Sequence, residues 1–231
     1  RAAVELAEKY DGVYAAVALH PVHTSKSYHD VQELGEEGKA FTSRGEEFDP
    51  ALYEELARHP KVKAIGECGL DYFRMDEETA VRQKEVFIQH IELANKVGKP
   101  LMLHIRSGSG KSAYKDAIEI LREHSKVKGD VHFFAGNWEE AQWFLDFGFT
   151  LSFTGVLTFT KDYDEVVRNI PLDMIQAETD CPYITPVPFR GTRNEPMHVR
   201  EIYKAIARIK EMDEETVRLQ LLENAKRVFG I

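Results

Sequence analysis

Short apolar and β-branched runs alternate along this chain with longer stretches of helical periodicity, and the alternation continues to its end. The runs predict strands at 13–19, 62–66, 100–105, 129–134, 150–153 and 174–177. The clearest helix opens at Asp76, an N-cap with Glu77 and Glu78 behind it. It carries Ala80, Phe87, Ile88, Ile91 and Ala94 on one face and stops at Gly98. Further helices are predicted over 111–123, 138–147 and 164–169. Two more close the chain, one through Val199, Ile202, Tyr203, Ile206 and Ile209, the other capped by Asp213. The first residues, with Val4, Leu6 and Ala7, read as a helix entered without a capping residue or an initiator Met, so the natural protein is expected to start upstream. Strand–helix alternation with apolar strands argues for a parallel sheet covered by helices, either an open doubly wound sheet or a (β/α)₈ barrel. The segment 24–50, with Gly35, Gly38 and Gly45, reads as a loop plus a short helix, and 182–196 as a second long loop. No repeat or linker divides the chain, so one domain is expected over residues 1–231.

Composition narrows the picture. Of 231 residues 43% are hydrophobic, enough for a sizeable core, and 30 basic against 39 acidic residues leave a formal charge of −9. That balance disfavours a broad basic face wrapping nucleic acid, but not a nuclease whose positive charge comes from metal ions. No run approaches the roughly 18 apolar residues of a membrane helix. Cys68 and Cys181 show no CxxC spacing, which points to neither a disulfide framework nor structural zinc, and to a reducing cytoplasm by default.

The candidate chemistry lies at the strand ends. His20 follows Val17-Ala18-Leu19, Glu67 follows Ala64-Ile65-Gly66, and His104 and His132 sit near the ends of their runs. Asp180 follows Gln176-Ala177-Glu178-Thr179. Singly each has a bland reading: a strand histidine is usually core, and Asp180 before Cys181-Pro182 suits a turn. Together, at the same end of successive strands, they favour the barrel, whose mouth gathers those ends. Two imidazoles and two carboxylates there are a mixed N/O set suited to a divalent metal that activates water.

The same segments carry a resemblance. Gly66-Glu67-Cys68-Gly69-Leu70-Asp71-Tyr72 resembles the GE-x-GLDY signature of the TatD family of metal-dependent deoxyribonucleases. Leu19-His20-Pro21 resembles its G-x-HP segment (Ala18 replacing the glycine), His104-Ile105-Arg106 its H-x-R, and His132-Phe133-Phe134-Ala135-Gly136 its H-x-F-[SA]-G. Glu178-Thr179-Asp180-Cys181-Pro182-Tyr183 resembles ETD-x-PY, and the 190–196 loop its RG…NEP. The resemblance implies a TIM (β/α)₈ barrel of the metal-dependent hydrolase type and a 3′→5′ exodeoxyribonuclease acting on single-stranded DNA ends. Two divalent ions, Mg²⁺, Mn²⁺ or Zn²⁺, would serve a complete site. Glu67 would bridge them, His104 and His132 would hold one, and Asp180 would hold the other and help activate water. His20 and Arg106 would contact the substrate phosphate, and Arg190 and Glu195 would line the mouth. Apart from the resemblance, Tyr72 and Phe73, just beyond Glu67 in a loop, read by their position as base-stacking candidates. The family's first strand ends in H-x-H, and no such pair precedes His20. The first two strands and first helix are therefore expected upstream of Arg1, and the chain as given is expected to hold at most one metal tightly, at the His104/His132 site, and to show little or no phosphodiesterase turnover on its own.

Other readings compete. The same barrel could hydrolyse small amides or lactones, or an incomplete one could be inactive. Ser107-Gly108-Ser109-Gly110-Lys111-Ser112 ends like a P-loop, but Ile105 stands where that motif needs glycine. The aromatic cluster from Phe133 to Phe153 reads as core by its spacing.

Overall fold

The computed structural model describes residues 1–26, 28–29, 41–73, 76–108 and 110–231. Part of the 24–50 reading, including Gly35 and Gly38, and Ser109 of the P-loop-like stretch lie outside the described residues. In chain order the elements are α1 (Ala2–Lys9), β1 (Ala15–Val17), β2 (Tyr28–His29), β3 (Phe41–Thr42), α2 (Pro50–Ala57), β4 (Val62–Asp71), α3 (Glu77–Val97) and β5 (Leu101–Arg106). There follow α4 (Ala113–His124), β6 (Gly129–His132), α5 (Trp138–Phe147), β7 (Thr150–Phe153), α6 (Asp164–Asn169), β8 (Ile175–Ala177), α7 (Val199–Lys210) and α8 (Glu214–Phe229). They form two compact units, one of Arg1–Ser27, Ser43–His132 and Val228–Ile231, the other of Tyr28–Thr42 and Phe133–Arg227.

In the first unit β1 pairs with β4, β4 with β5, and β5 with β6, all parallel. β5 alternates strictly: Leu101, Leu103 and Ile105 are buried, whereas Met102, His104 and Arg106 are partly exposed. That period of two puts His104 and Arg106 on one face. β4 departs from the sequence reading, which ended the strand at Gly66. It continues five residues further, to Asp71. Between the Ile65–Leu101 and Cys68–Leu103 pairs it carries one residue more than β5, a bulge that contains Gly66, Glu67 and the cis peptide joining them. Glu67 therefore projects from within a strand. The approach of the two strands demands glycine: a Cβ on Gly66 would lie 2.5 Å from Met102 Cβ, and one on Gly69, at φ +140°, 2.2 Å from the His104 carbonyl oxygen.

α3 forms as its pattern predicts. Asp76 accepts from the Thr79 N–H at 2.8 Å, and Gly98 closes the helix in the left-handed region at φ +66°. Its buried face includes two polar residues, and each grips a strand end. The Gln83 side chain accepts from the Asp71 N–H at 2.8 Å and donates to the Asp71 carbonyl at 3.0 Å. His90, wholly buried, donates from Nδ1 to the Val86 carbonyl at 2.7 Å and accepts the Leu19 N–H on Nε2 at 2.9 Å. Phe48 packs against its ring at 4.5 Å between centroids.

In the second unit β7 and β8 pair in parallel, Leu151 opposite Ile175 and Phe153 opposite Ala177. β2 and β3 form a two-stranded antiparallel ribbon that the sequence pattern missed. α5 occupies the predicted residues, with a reciprocal capping box between Asn137 and Glu140. The chain leaves β6 one residue after His132, not at Phe134, because Phe133 turns to φ +43° and gives its N–H to Glu178 at 2.6 Å. Phe134, Phe144, Phe149 and Phe153 are fully buried, as core residues should be. Among the described residues no helix is long and apolar enough to cross a membrane.

Two outcomes follow for stability. Gly69→Ala should destabilise by about 2–4 kcal/mol through the backbone clash and the φ together, against about 1 kcal/mol for Gly98→Ala, where φ alone is at fault. Denaturant midpoints check this. Burial pulls the His90 pKa down to about 4, with the Val86 carbonyl opposing. The unfolded chain, near 6.5, therefore takes up the proton first. Stability contributed by neutral His90 is intact above pH 6.5 and is lost as pH falls towards 4, by about 3 kcal/mol in total. Urea titrations across that window should show a shallower pH dependence for His90→Gln than for the unmodified protein.

Candidate functional site

Four side chains of the first unit meet: Glu67 from within β4, His104 from within β5, His132 from the last position of β6, and His20 from the segment after β1. Glu67 Oε2 lies 3.5 Å from His20 Nε2, 3.8 Å from His104 Nδ1 and 3.7 Å from His132 Nε2. The ligand atoms of His20, Glu67 and His104 fall within 4.8 Å of one another. His20, at 3.5 Å, stands at the outer limit of a hydrogen bond to the carboxylate, and His104 and His132 stand farther off, so the nitrogens surround it without engaging it closely. Glu67 keeps 35% of its side-chain surface accessible and His132 only 11%, which makes the carboxylate the open side of the cluster.

Hydrogen bonds at the far nitrogens decide what each imidazole offers. His104 Nε2 lies 2.8 Å from Asp71 Oδ2. Burial raises the Asp71 carboxyl, but the His104 bond and charge, the Phe73 N–H and Arg106 outweigh it and hold the group below the usual carboxylate range. An ionised Asp71 can only accept, so His104 donates from Nε2, and in the neutral ring Nδ1 keeps its lone pair towards Glu67. His20 is the reverse. Its Nδ1 accepts the Val22 N–H at 3.3 Å, which leaves the proton of the neutral ring on Nε2. Burial first, and His104 second, bring its pKa down to about 4 against the pull of Glu67 and Asp71. His104 is thus arranged as a ligand and His20 as a donor. Burial also raises Glu67, but the His20 hydrogen bond and the charges on His132, His20 and His104 prevail and bring it down to about 2. One fixed anion, imidazole lone pairs and a carboxylate behind one of them fit a divalent cation.

The other expected substrate contacts divide. The Arg106 guanidinium lies 3.9 Å over the Phe73 ring, on the β5 face that carries His104. Tyr72 does not serve as a stacking surface. It is completely buried, its hydroxyl donates to Asp116 at 2.8 Å, and Asp116 pairs with Lys84 at 2.6 Å. β4 runs on through Asp71, so Tyr72 faces the helix layer, and the ring beside the cluster is Phe73. The P-loop-like stretch is a helix start: Ser107 Oγ accepts from the Ala113 N–H and Ser112 Oγ from the Lys115 N–H.

In the second unit Asp180 lies three residues past β8, in the left-handed region at φ +52°. Buried Asn194, from the 190–196 loop, holds this turn by donating to the Thr179 carbonyl at 2.8 Å and to that of Tyr183 at 2.5 Å. Arg190 donates to the Thr185 carbonyl at 3.1 Å and stacks on Phe159 at 4.3 Å.

Sequence reasoning missed Asp71, Gln83 and His90 as parts of the site's support. A signal existed for each. Asp71 is a carboxylate within an apolar run, and Gln83 and His90 are polar positions seven apart on the apolar face of α3.

Comparisons with known proteins identify the family of the chain. The family profile described as TatD related DNase matches residues 1–230. The metal-dependent hydrolase YabD of Bacillus subtilis is 42% identical over 99% of this chain and 82% of its own length. The metal-dependent hydrolase TatD of Mycobacterium tuberculosis is 35% identical over 95% and 77%. Among solved structures, the TatD homologue YJJV of Escherichia coli superposes with a TM-score of 0.80 at 26% identity, over 100% of this chain and 82% of that one. A TatD family hydrolase of Entamoeba histolytica, at 24% identity and TM-score 0.75, covers 98% and 79% and shares the fold. With the TatD-type α/β fold and a site suited to a divalent cation, this chain belongs to the TatD-related DNase family, a family of metal-dependent hydrolases.

Proposed function

We propose that residues 1–231 belong to a single hydrolase domain of a cytoplasmic protein that cleaves phosphodiester bonds at single-stranded DNA ends in the 3′→5′ direction, using divalent cations. The observation that carries this reading is the division of labour around Glu67: His104 presents a lone pair fixed by Asp71, whereas His20 presents an N–H. In this reading Glu67, His104 and His132 hold a cation, three ligands with positions left for water and substrate. Bound there, a divalent ion supplies Lewis acidity and lowers the pKa of water.

The chain's own residues do the rest. Glu67 stays ionised throughout the physiological range, so the anionic charge needed for binding is permanent. His20 donates from Nε2 to a non-bridging phosphate oxygen, and Arg106 neutralises the same group; both suit an anionic phosphodiester better than a neutral amide. Asp71 acts through His104, holding its tautomer. Asp180 is assigned a second ion and the water's proton on its Glu178-Thr179-Asp180 motif alone, and Arg190 a substrate contact on its motif.

A 5′-labelled single-stranded oligonucleotide should shorten stepwise from its 3′ end with Mg²⁺, Mn²⁺ or Zn²⁺, and a chelator should stop it. No shortening with any of the three would end the nuclease reading. Glu67→Gln should lower the rate by about 10³-fold or more, and an undiminished rate would remove it from the metal site. Asp71→Asn should cost about 10–100-fold in metal affinity measured by calorimetry, with the fold retained.

A further inference from the structure

A pocket of about 340 Å³ lies among three segments of the first unit. The first runs on from His20 through the short 3₁₀ turn Pro21–His23 to Lys26; the second holds Arg44 and Gly45; the third is the start of α3, from Asp76 to Arg82. Lys26, Arg44 and Arg82 line it, with Ser25 and Thr79 between them. The first two are tied together: Ser43 Oγ donates to the Ser25 carbonyl at 2.5 Å, and the Glu46 N–H to the His23 carbonyl at 2.8 Å, which sets Arg44 beside Lys26.

Three features of this pocket point to an anion. First, among the described residues none of the three cations pairs with a carboxylate. The two acids on the rim are Asp76, which caps α3 through the Thr79 N–H and keeps its charge, and Glu78, so three cations face two carboxylates, a surplus of one positive charge. On a chain of net charge −9 such a surplus is a local exception. Second, Arg82 Nε is buried and has no hydrogen-bond partner. A buried guanidinium N–H left unsatisfied is costly and calls for an acceptor that the protein itself does not supply. Third, the pocket is close to the cluster along the chain. Six residues separate His20 from Lys26, a reach of at most about 20 Å, which a few nucleotides of single strand cover.

We infer that this pocket binds an internal phosphate of the nucleic-acid strand whose end lies at Glu67. The inference rests on the nuclease reading for the identity of the strand, and it adds the element that separates a polynucleotide from a small phosphodiester. Arg82 and Arg44 grip a non-bridging phosphate oxygen pair and Lys26 adds charge, so the strand is held at two points and its terminal bond is aligned at the first. Neither contact reads a base, so the subsite is indifferent to sequence.

The test is direct binding, with a chelator present so that hydrolysis plays no part. A fluorescent ten-nucleotide single strand is titrated with the full chain, followed by anisotropy, at several salt concentrations. Arg82→Gln and Arg44→Gln should each weaken binding about 5–20-fold at low salt and lower the slope of log K against log salt by about 0.7, the loss of one phosphate contact. Arg44 is exposed, so its replacement reports on the pocket even if Arg82→Gln folds poorly. Lys9→Gln, an exposed cation on α1, should leave binding unchanged. With metal restored, the pocket variants should show a raised KM on the oligonucleotide and an unaltered rate on the p-nitrophenyl ester of thymidine 5′-phosphate, a substrate too short to reach the pocket. Equal binding by wild type and both variants, equal losses in Lys9→Gln, or equal losses on the short ester would overturn the inference. So would millimolar inorganic phosphate displacing the strand fully while strands of two and ten nucleotides bind alike, since the pocket would then be a site for free phosphate. Binding that behaves as expected while the protein hydrolyses neither substrate would refute the nuclease reading and leave the subsite standing.

Discussion

The site depends on how closely the backbone of β4 can lie against that of β5. Where the two strands meet, no atom beyond Cα fits on β4 at positions 66 and 69. Glu67 occupies the bulge between those glycines, and Asp71 stands two residues past the second. The spacing between the Glu67 carboxylate and the imidazole of His104, on the neighbouring strand, is therefore a backbone distance more than a matter of side-chain choice. A flexible glutamate at a loop tip would have to be ordered by the cation each time one bound; here the ordering is already in the sheet.

A second layer of control comes from α3. Its buried face is apolar except for Gln83 and His90, and each of them uses both of its hydrogen-bonding groups on backbone. Gln83 fixes the peptide of Asp71, whose carboxylate fixes the proton of His104. His90 fixes the peptide of Leu19, immediately before His20. Buried polar groups satisfied this fully specify one arrangement where an all-apolar face would tolerate several. The burial that keeps His90 neutral also keeps it an acceptor for Leu19, so the same physical cause serves position and protonation together.

Much of this was legible from the amino-acid order, and the gaps have physical reasons. Period-two and period-3.6 patterns located the six parallel strands and most helices, because burial of one face is what those patterns encode. The end of β4 was misplaced because a glycine-containing bulge looks like a strand terminus: the alternation breaks, although the pairing continues. That error moved Tyr72 out into a loop, where an aromatic beside a carboxylate reads as a stacking surface; in the fold it is a core ring with a hydroxyl satisfied by Asp116. The ribbon of β2 and β3 has two residues per strand, too few for any periodicity to register. Glu67, His104 and His132 are candidates that chemistry at strand ends suggests, and the structure brings them together, but their tautomers depend on partners such as Asp71 Oδ2 and, for His20, the Val22 N–H, which no spacing rule connects to them. The three cations of the pocket are dispersed over fifty-odd positions and become a cluster only in three dimensions.

The two grips of α3 also restrict how the chain can vary in length. Gln83 and His90 are seven residues apart, close to two helical turns, so both face the strands with about 10 Å of rise between them. One residue inserted between them would rotate everything beyond it by about 100° and turn one of the two towards solvent. The segment between them can exchange side chains on its outer face freely, yet it cannot gain or lose a residue. The last turn of α3, past Leu93, instead ties to its neighbours through Asn95, which donates to the His124 carbonyl and accepts the Lys126 N–H, and Lys96, which pairs with Glu54. In this helix the count of residues is under tighter constraint than most of their identities.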